Sequence, residues 1–264
     1  MLTKTRILVL RCTPYGDHAI VARFFTRELG AYSYMLHGIR SKKSRITPAM
    51  LHPMALMDAE VYLRPDSDLQ RVSEMQPLPY GMGGYGTAEQ LLGLGLIAEL
   101  LAQAVHDHDP QPDLFDWLVD RMEALMGSGT TAELVCAVLT DLSGWLGFSV
   151  DATTYQPGSR LCFADGVFII PELLPHNAVA TVHQIGNDPN RVSTYERGGL
   201  SSKQDYADPQ SSFEMAFYLS NNAWPDHFRC TEAYLQAVYG LYARQLPSFR
   251  IPRSHPMFCS LVLK

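Results

Sequence analysis

Five short apolar runs, each closed by turn residues, fill the first eighty positions and leave little room there for a helix. Arg6 to Thr13 and His18 to Arg27 flank the turn Pro14-Tyr15-Gly16-Asp17, and Ala31 to Ile39 follows Glu28-Leu29-Gly30. Ala55 to Leu63 and Leu69 to Met75 are separated by Arg64-Pro65-Asp66-Ser67-Asp68. Strands of this length with turn signals between them predict a small barrel or sandwich. Between the third and fourth runs lies Arg40-Ser41-Lys42-Lys43-Ser44-Arg45, four cations in six residues with no acid. A five-stranded barrel with cations on one face is a common way to hold nucleic acid.

A net charge of −6 over 264 residues argues against nucleic acid, but the distribution reverses the argument. Residues 1–80 hold 11 Lys/Arg and 7 Asp/Glu, whereas residues 81–264 hold 10 and 20. A basic module joined to an acidic one can meet phosphate at one end and a different partner at the other. The apolar content of 47% is ample for a packed core and makes long disorder unexpected. Cys12, Cys136, Cys162, Cys230 and Cys259 are odd in number and widely scattered, which is neither a disulfide framework nor a zinc spacing and fits a reducing compartment. Met1-Leu2-Thr3-Lys4 leads directly into a strand rather than a signal peptide, and the longest apolar stretch, Leu91 to Leu101, contains Glu99 and is too short to span a bilayer. A soluble, cytoplasmic protein without contact to membranes is expected.

Beyond a Pro/Gly-rich linker over 76–86, the pattern turns helical. Thr87-Ala88-Glu89-Gln90 has the form of a capping box, and the helix that it opens is apolar around most of its circumference to about Val105. A second helix is expected over Leu114 to Met126, capped by Asp113, and a third over Ala132 to about Leu146. Residues 147–210 are rich in Pro, Gly and Asn. One hairpin stands out there, Arg160 to Ala164 and Val167 to Ile170 around Asp165-Gly166. Helices over Ser212 to Ser220 and Thr231 to Leu246 complete the pattern.

The basic run at Arg40, Lys42, Lys43 and Arg45 has two readings, a solvated turn or a phosphate-contacting loop. Arg23 and Arg27 on a neighbouring strand favour the second, because Lys and Arg neutralise phosphates. Tyr32, Tyr34 and His37 offer flat faces for bases, but alternation with Leu36 makes the tyrosines core residues. Gly81-Met82-Gly83-Gly84-Tyr85-Gly86 matches a dinucleotide-binding pattern, yet no strand follows its helix, so hinge glycines are the better account. His106-Asp107-His108-Asp109 follows a helix whose dipole favours histidine, and residues two apart do not share a helical face, so a metal site is not expected there. No nucleophile elbow, zinc-protease motif or P-loop is present in the sequence, which gives no reason to expect an enzyme.

Several segments together resemble the RecO family of bacterial recombination-repair proteins, particularly the shorter form seen in Bacteroidetes. They are Lys4-Thr5-Arg6-Ile7-Leu8-Val9-Leu10, Tyr15-Gly16-Asp17 and Phe25-Thr26-Arg27-Glu28-Leu29-Gly30. Gly38-Ile39-Arg40 with Lys43-Ser44, Leu51-His52-Pro53 and Leu69-Gln70-Arg71-Val72-Ser73-Glu74 continue the pattern, and Phe163-Ala164-Asp165-Gly166-Val167-Phe168 matches more loosely. The resemblance implies an α+β protein. It implies an N-terminal five-stranded OB-fold barrel over residues 1–80 that binds DNA. A mainly α-helical domain over 81–264 carries a small β-hairpin within an irregular insert at about 147–210. It further implies binding of single- and double-stranded DNA, annealing of complementary strands, contact with RecR and the single-strand-binding protein SSB, and help in loading RecA onto SSB-coated DNA. Many relatives carry a four-cysteine zinc site after the hairpin. Phe168-Ile169-Ile170-Pro171-Glu172 has no cysteine, and tetrahedral zinc needs four ligands, so neither metal nor other cofactor is expected.

The SSB tail, which the resemblance implies is acidic with an apolar end, calls for an apolar pocket rimmed by cations. Arg121, beside the apolar face of its helix, is the candidate; pairing with Trp117, Asp116 or Asp120 is the alternative, and Arg244, Arg250 and Arg253 are the next positions. The reading is therefore a non-enzymatic DNA-binding mediator. Its competitor is a protein-interaction adaptor whose barrel does not bind DNA.

Overall fold

The computed structural model describes residues 2–16, 19–37, 47, 50–64, 67–78, 86–127, 131–170, 179–182, 193–196 and 206–263. They form two compact units, Met1–Val135 with Ile251–Lys264, and Cys136–Arg250.

In the first unit the five expected strands are all present: β1 (Leu2–Tyr15), β2 (Ala19–Thr26), β3 (Gly30–His37), β4 (Leu56–Tyr62) and β5 (Leu69–Pro77). They close in the order β1-β2-β3-β5-β4, antiparallel except for β3 with β5, which is the OB-fold arrangement. Alternate side chains fill the barrel, among them Ile7, Val9, Phe24, Tyr34, Met57 and Val61. Leu8, Leu10, Phe25 and Leu56 belong to the same strands but not to that interior, and they are buried as well. The helices cover them: Phe25 lies 5.8 Å from the Phe115 ring. This double burial explains why Ile7 to Leu10 reads as a continuous apolar run rather than an alternation.

Helix α1 (Ala88–Ala104) starts with both halves of the expected capping box, Thr87 Oγ1 accepting from Gln90 N–H and Gln90 Oε1 from Thr87 N–H. Gln90 Nε2 also donates to the carbonyls of Leu125 and Met126 at the end of α2 (Pro112–Gly127). Asp113 sits in the first turn of α2 rather than before it, because the helix begins at Pro112, whose fixed φ and missing N–H suit that position. Between α1 and α2 the chain runs along β3: His108 N–H donates to Ala31 O, and the His108 ring stacks on Tyr32 at 4.1 Å. Gly30 makes this approach possible. Its φ is +80°, and a Cβ there would lie 2.5 Å from the Asp109 backbone.

Helix α6 (His255–Val262), which the sequence pattern did not predict, packs on α1. The Glu99 carboxylate accepts from the backbone N–H groups of Arg253 and Ser254 at its start, and Phe258 is fully buried.

Helix α3 (Thr131–Trp145) passes from the first unit into the second. The second unit adds a 3₁₀ turn (Ala152–Thr154), the hairpin β6 (Arg160–Cys162) and β7 (Val167–Ile169), and the pair β8 (Val179–Val182) and β9 (Ser193–Glu196). It ends with α4 (Pro209–Asn221), capped by Asp208, and α5 (Glu232–Gln245), capped by Thr231. The β6–β7 connection is longer than the expected Asp165-Gly166 pair, since Cys162 faces Val167 and four residues intervene. Phe163, Val167 and Phe168 are buried, and a Cβ on Gly240 of α5 would lie 2.5 Å from the Phe163 ring. Tyr234 and Tyr242 of α5 are fully buried with their hydroxyls on Thr140 and on the Leu139 carbonyl. Cys136 and Cys230 form a disulfide, so the scattered thiols are not all free as their spacing suggested. Residues 94 apart in sequence carry no local signal of such a pairing.

Candidate nucleic-acid interface

The barrel's strand register lines up its outward side chains. Arg11 faces Arg23, which faces Ser33, which faces Leu69. Two positions along, Thr13 faces Val21, then Met35, Arg71 and Tyr62. Tyr15, Ala19 and His37 form a third row. Side chains two apart on a strand share a face, so Arg11, Thr13 and Tyr15 point the same way.

Arg11, Arg71 and His37 are exposed, and Tyr15 and Tyr62 keep 62% and 45% of their surface. Neither Arg11 nor Arg71 takes part in an ion pair among the described residues. Guanidinium groups beside open phenol rings offer charge for a phosphate and a face for a base.

The sequence pointed instead to the basic run and to Arg23 and Arg27. Arg40, Lys42, Lys43 and Arg45 lie outside the described residues. Arg23 is largely covered: Nη1 sits 2.5 Å from Asp107 Oδ1, and Nη2 donates to the Val105 carbonyl at 3.4 Å. Arg27 grips Asp116 with two hydrogen bonds, Nε to Oδ1 at 2.8 Å and Nη2 to Oδ2 at 2.7 Å. Arg6 reaches the same Oδ1 at 3.0 Å. Asp116 is thus clamped by two guanidinium groups. The hydrogen bonds from Arg27, reinforced by the charges of Arg27 and Arg6, hold its carboxyl below the usual range despite partial desolvation. Arg27 therefore ties the barrel to α2, and Arg23 ties it to the connection between α1 and α2. Ion pairs between residues so distant in sequence have no spacing from which to be read.

Tyr32 and Tyr34 are core residues, as their alternation indicated, and burial raises both hydroxyl pKa values. His108 and Asp107 are occupied with Tyr32 and Arg23. Arg121 lies over the Trp117 ring at 5.6 Å, the pairing named as the alternative to a binding role. Arg11 and Arg71 escaped the sequence reading because isolated arginines on predicted strands look ordinary until the register places them together. The alternation of Arg11, Thr13 and Tyr15 around a half-buried Cys12 was the available signal.

Family models extend the picture. The model described as Recombination protein O N terminal matches residues 1–80, and that described as Recombination protein O C terminal matches residues 86–154. The DNA repair protein RecO of Prosthecochloris aestuarii is 24% identical over 272 residues, covering 99% of this chain and 89% of that protein. That of Chlorobium phaeobacteroides strain BS1 is 26% identical over 202 residues, 76% of this chain and 70% of the relative. An Anaeromyxobacter RecO (strain Fw109-5) is 34% identical over 118 residues, 45% of this chain and 46% of the relative. With both family models matched in order on a closed five-stranded barrel and the helices that follow it, the chain belongs to the RecO family of recombination and DNA repair proteins.

Proposed function

We propose that the protein is a DNA-binding mediator of recombinational repair, with residues 1–80 as its DNA-binding domain. The observation that carries this reading is the barrel face on which Arg11 and Arg71, without an ion pair among the described residues, stand beside Tyr15 and Tyr62. The basic run Arg40, Lys42, Lys43 and Arg45 follows directly on β3, the strand of that face bearing His37. Phosphates meet these cations first. Arg23 and Arg27 join them where a phosphate displaces Asp107 or Asp116. The surface lowers repulsion between two strands and leaves bases free to pair, so annealing proceeds without an active site. RecR and SSB are the proposed protein partners, and loading of RecA onto SSB-coated DNA the proposed outcome, in the cytoplasm. Arg121 is the proposed contact for an acidic SSB tail. No described helix is long and apolar enough to cross a membrane.

Salt dependence of oligonucleotide binding tests the reading. Four loop cations, each neutralising one phosphate, give a slope of log K against log[salt] of roughly −3 on single strands and roughly −3.6 on duplex. Arg11 and Arg71 add about −0.7 each on single strands. Replacing the four loop cations by Ala should flatten the slope, and replacing Arg11 and Arg71 should flatten it further. Undiminished affinity in both folded variants overturns the assignment. Absence of any salt-dependent binding by the unaltered protein favours the adaptor reading, which the overall charge of −6 otherwise supports.

A further inference from the structure

A second surface of the barrel has the opposite character. β3 pairs with β5 along Ser33–Met35 and Leu69–Arg71, and there the parallel pairing stops. From Val72 to Pro77, β5 holds β4 on one side and has no strand on the other among the described residues. A groove of about 1000 Å³ opens along this stretch, bounded by Leu36 and His37 of β3 and by β5 itself. A strand edge with unpaired N–H and C=O groups is a template for another strand.

The charge of the groove says what kind of strand. Glu28, Asp58, Glu60 and Glu74 line it, four of the seven acids in a barrel segment that is otherwise basic. Glu60 and Glu74 stand directly opposite one another on β4 and β5, a like-charge pairing that weakens a sheet unless a cation relieves it. Lys4 approaches Glu60 at 3.2 Å but is 85% exposed and screened by solvent. Arg6, the other cation lining the groove, is engaged with Asp116. Asp58 and Glu74 have no ion-pair partner among the described residues.

We propose that this edge is a docking site for an extended, cationic segment of a partner protein, added as a further strand beside Val72–Pro77. Side chains two apart on such a strand share a face and rise about 6.8 Å. Lysines or arginines at alternate positions then fall opposite Glu74 and Gln76, beside Glu60 and Asp58 across the next strand. Pro77 has no N–H to offer, so the added pairing ends there. Nucleic acid is repelled by the same carboxylates, so the barrel presents a phosphate face and a protein edge of opposite charge that meet at His37.

Fluorescence anisotropy with the full-length protein and a short, labelled, alternating Lys-Val peptide provides the test. Glu74→Lys should weaken the peptide about tenfold, and Gln76→Glu should tighten it by about twofold or more. A peptide methylated on alternate backbone nitrogens should fail to bind, because it cannot complete the ladder. Hydrogen exchange at the amides of residues 72–76 should slow when the unmodified peptide is bound. Equal affinity in Glu74→Lys and unaltered protein overturns the proposal, as does undiminished binding of the methylated peptide. Competitive displacement of the peptide by oligo-dT in an Arg11→Ala, Arg71→Ala background also overturns it, since the groove would then belong to nucleic acid. Should Glu74→Lys fail to fold by circular dichroism, the Gln76→Glu and methylated-peptide arms decide.

Discussion

Asp116 concentrates more of the barrel's architecture than any spacing in the sequence announces. It accepts from Arg27 through both oxygens and from Arg6 through one, while remaining 40% exposed. Solvent screens part of this attraction, but the paired geometry fixes two side chains at once. Asp116→Asn should lower the Tm at pH 7 by about 2–4 °C. Because the folded pKa of Asp116 is depressed, its contribution is fully present above the unfolded value near 3.9 and is lost as pH falls through the lower folded value. Thermal scans of the two proteins should therefore differ at pH 7 and converge in strong acid; a constant gap down to the lowest pH would show that the carboxylate's charge is not the cause. Arg23 teaches a related lesson. It was readable as a cation on the right strand, but the register sets it beside Asp107 and leaves Arg11 and Arg71 to face outward.

At the scale of elements, turn chemistry and alternation carried most of the fold. The expected strands are found, with Gly30 opening β3 and residues 64–68 separating β4 from β5, but β1 starts earlier, at Leu2, and runs on through Pro14 and Tyr15, which pair with Ile20 and Ala19 instead of turning; α1 begins at its capping box. What stayed hidden had a physical reason in each case. α6 is eight residues long and carries Pro256 near its start, so neither length nor periodicity marks it, and its start is fixed by Glu99, more than 150 positions away. β8 and β9 are four residues each, in a stretch of weak periodicity. The hairpin was legible from Asp165-Gly166, but its anchoring was not, because the receiving position is a glycine on a distant helix. Gly240 leaves α5 bare where the Phe163 ring lies, and an added methyl would meet that ring at 2.5 Å. Gly240→Ala should accordingly cost about 1–3 kcal/mol of stability despite alanine's better helix propensity. Urea denaturation measures it directly. Pairing Gly240→Ala with Phe163→Leu should recover part of the loss if the contact is the cause.

Across the whole molecule, two covalent and topological features bind distant stretches. The Cys136–Cys230 disulfide joins α3 to the segment just before α5, and both sulfurs' residues are buried. In the chain-entropy description, closing a loop of this length is worth up to about 4–5 kcal/mol. Reductant should lower the Tm, and Cys136→Ser with Cys230→Ser should reproduce the reduced protein's Tm; equal melting with and without reductant in the unaltered protein would show that the pair contributes nothing. Cys12 and Cys162 should stay silent in the same experiments, because burial pushes each thiol up to about 11. The second feature is the return of the chain to its first unit. α6 rests on α1, while residues 136–250, which separate them in sequence, form a unit of their own. On a ribosome adding 5–20 residues each second, α1 emerges long before the segment that covers it, by roughly ten seconds. For that interval the apolar face that Phe258 later seals is open to solvent. A nascent chain stalled before residue 251 would carry a finished barrel and an unfinished helical surface, the kind of target a chaperone recognises.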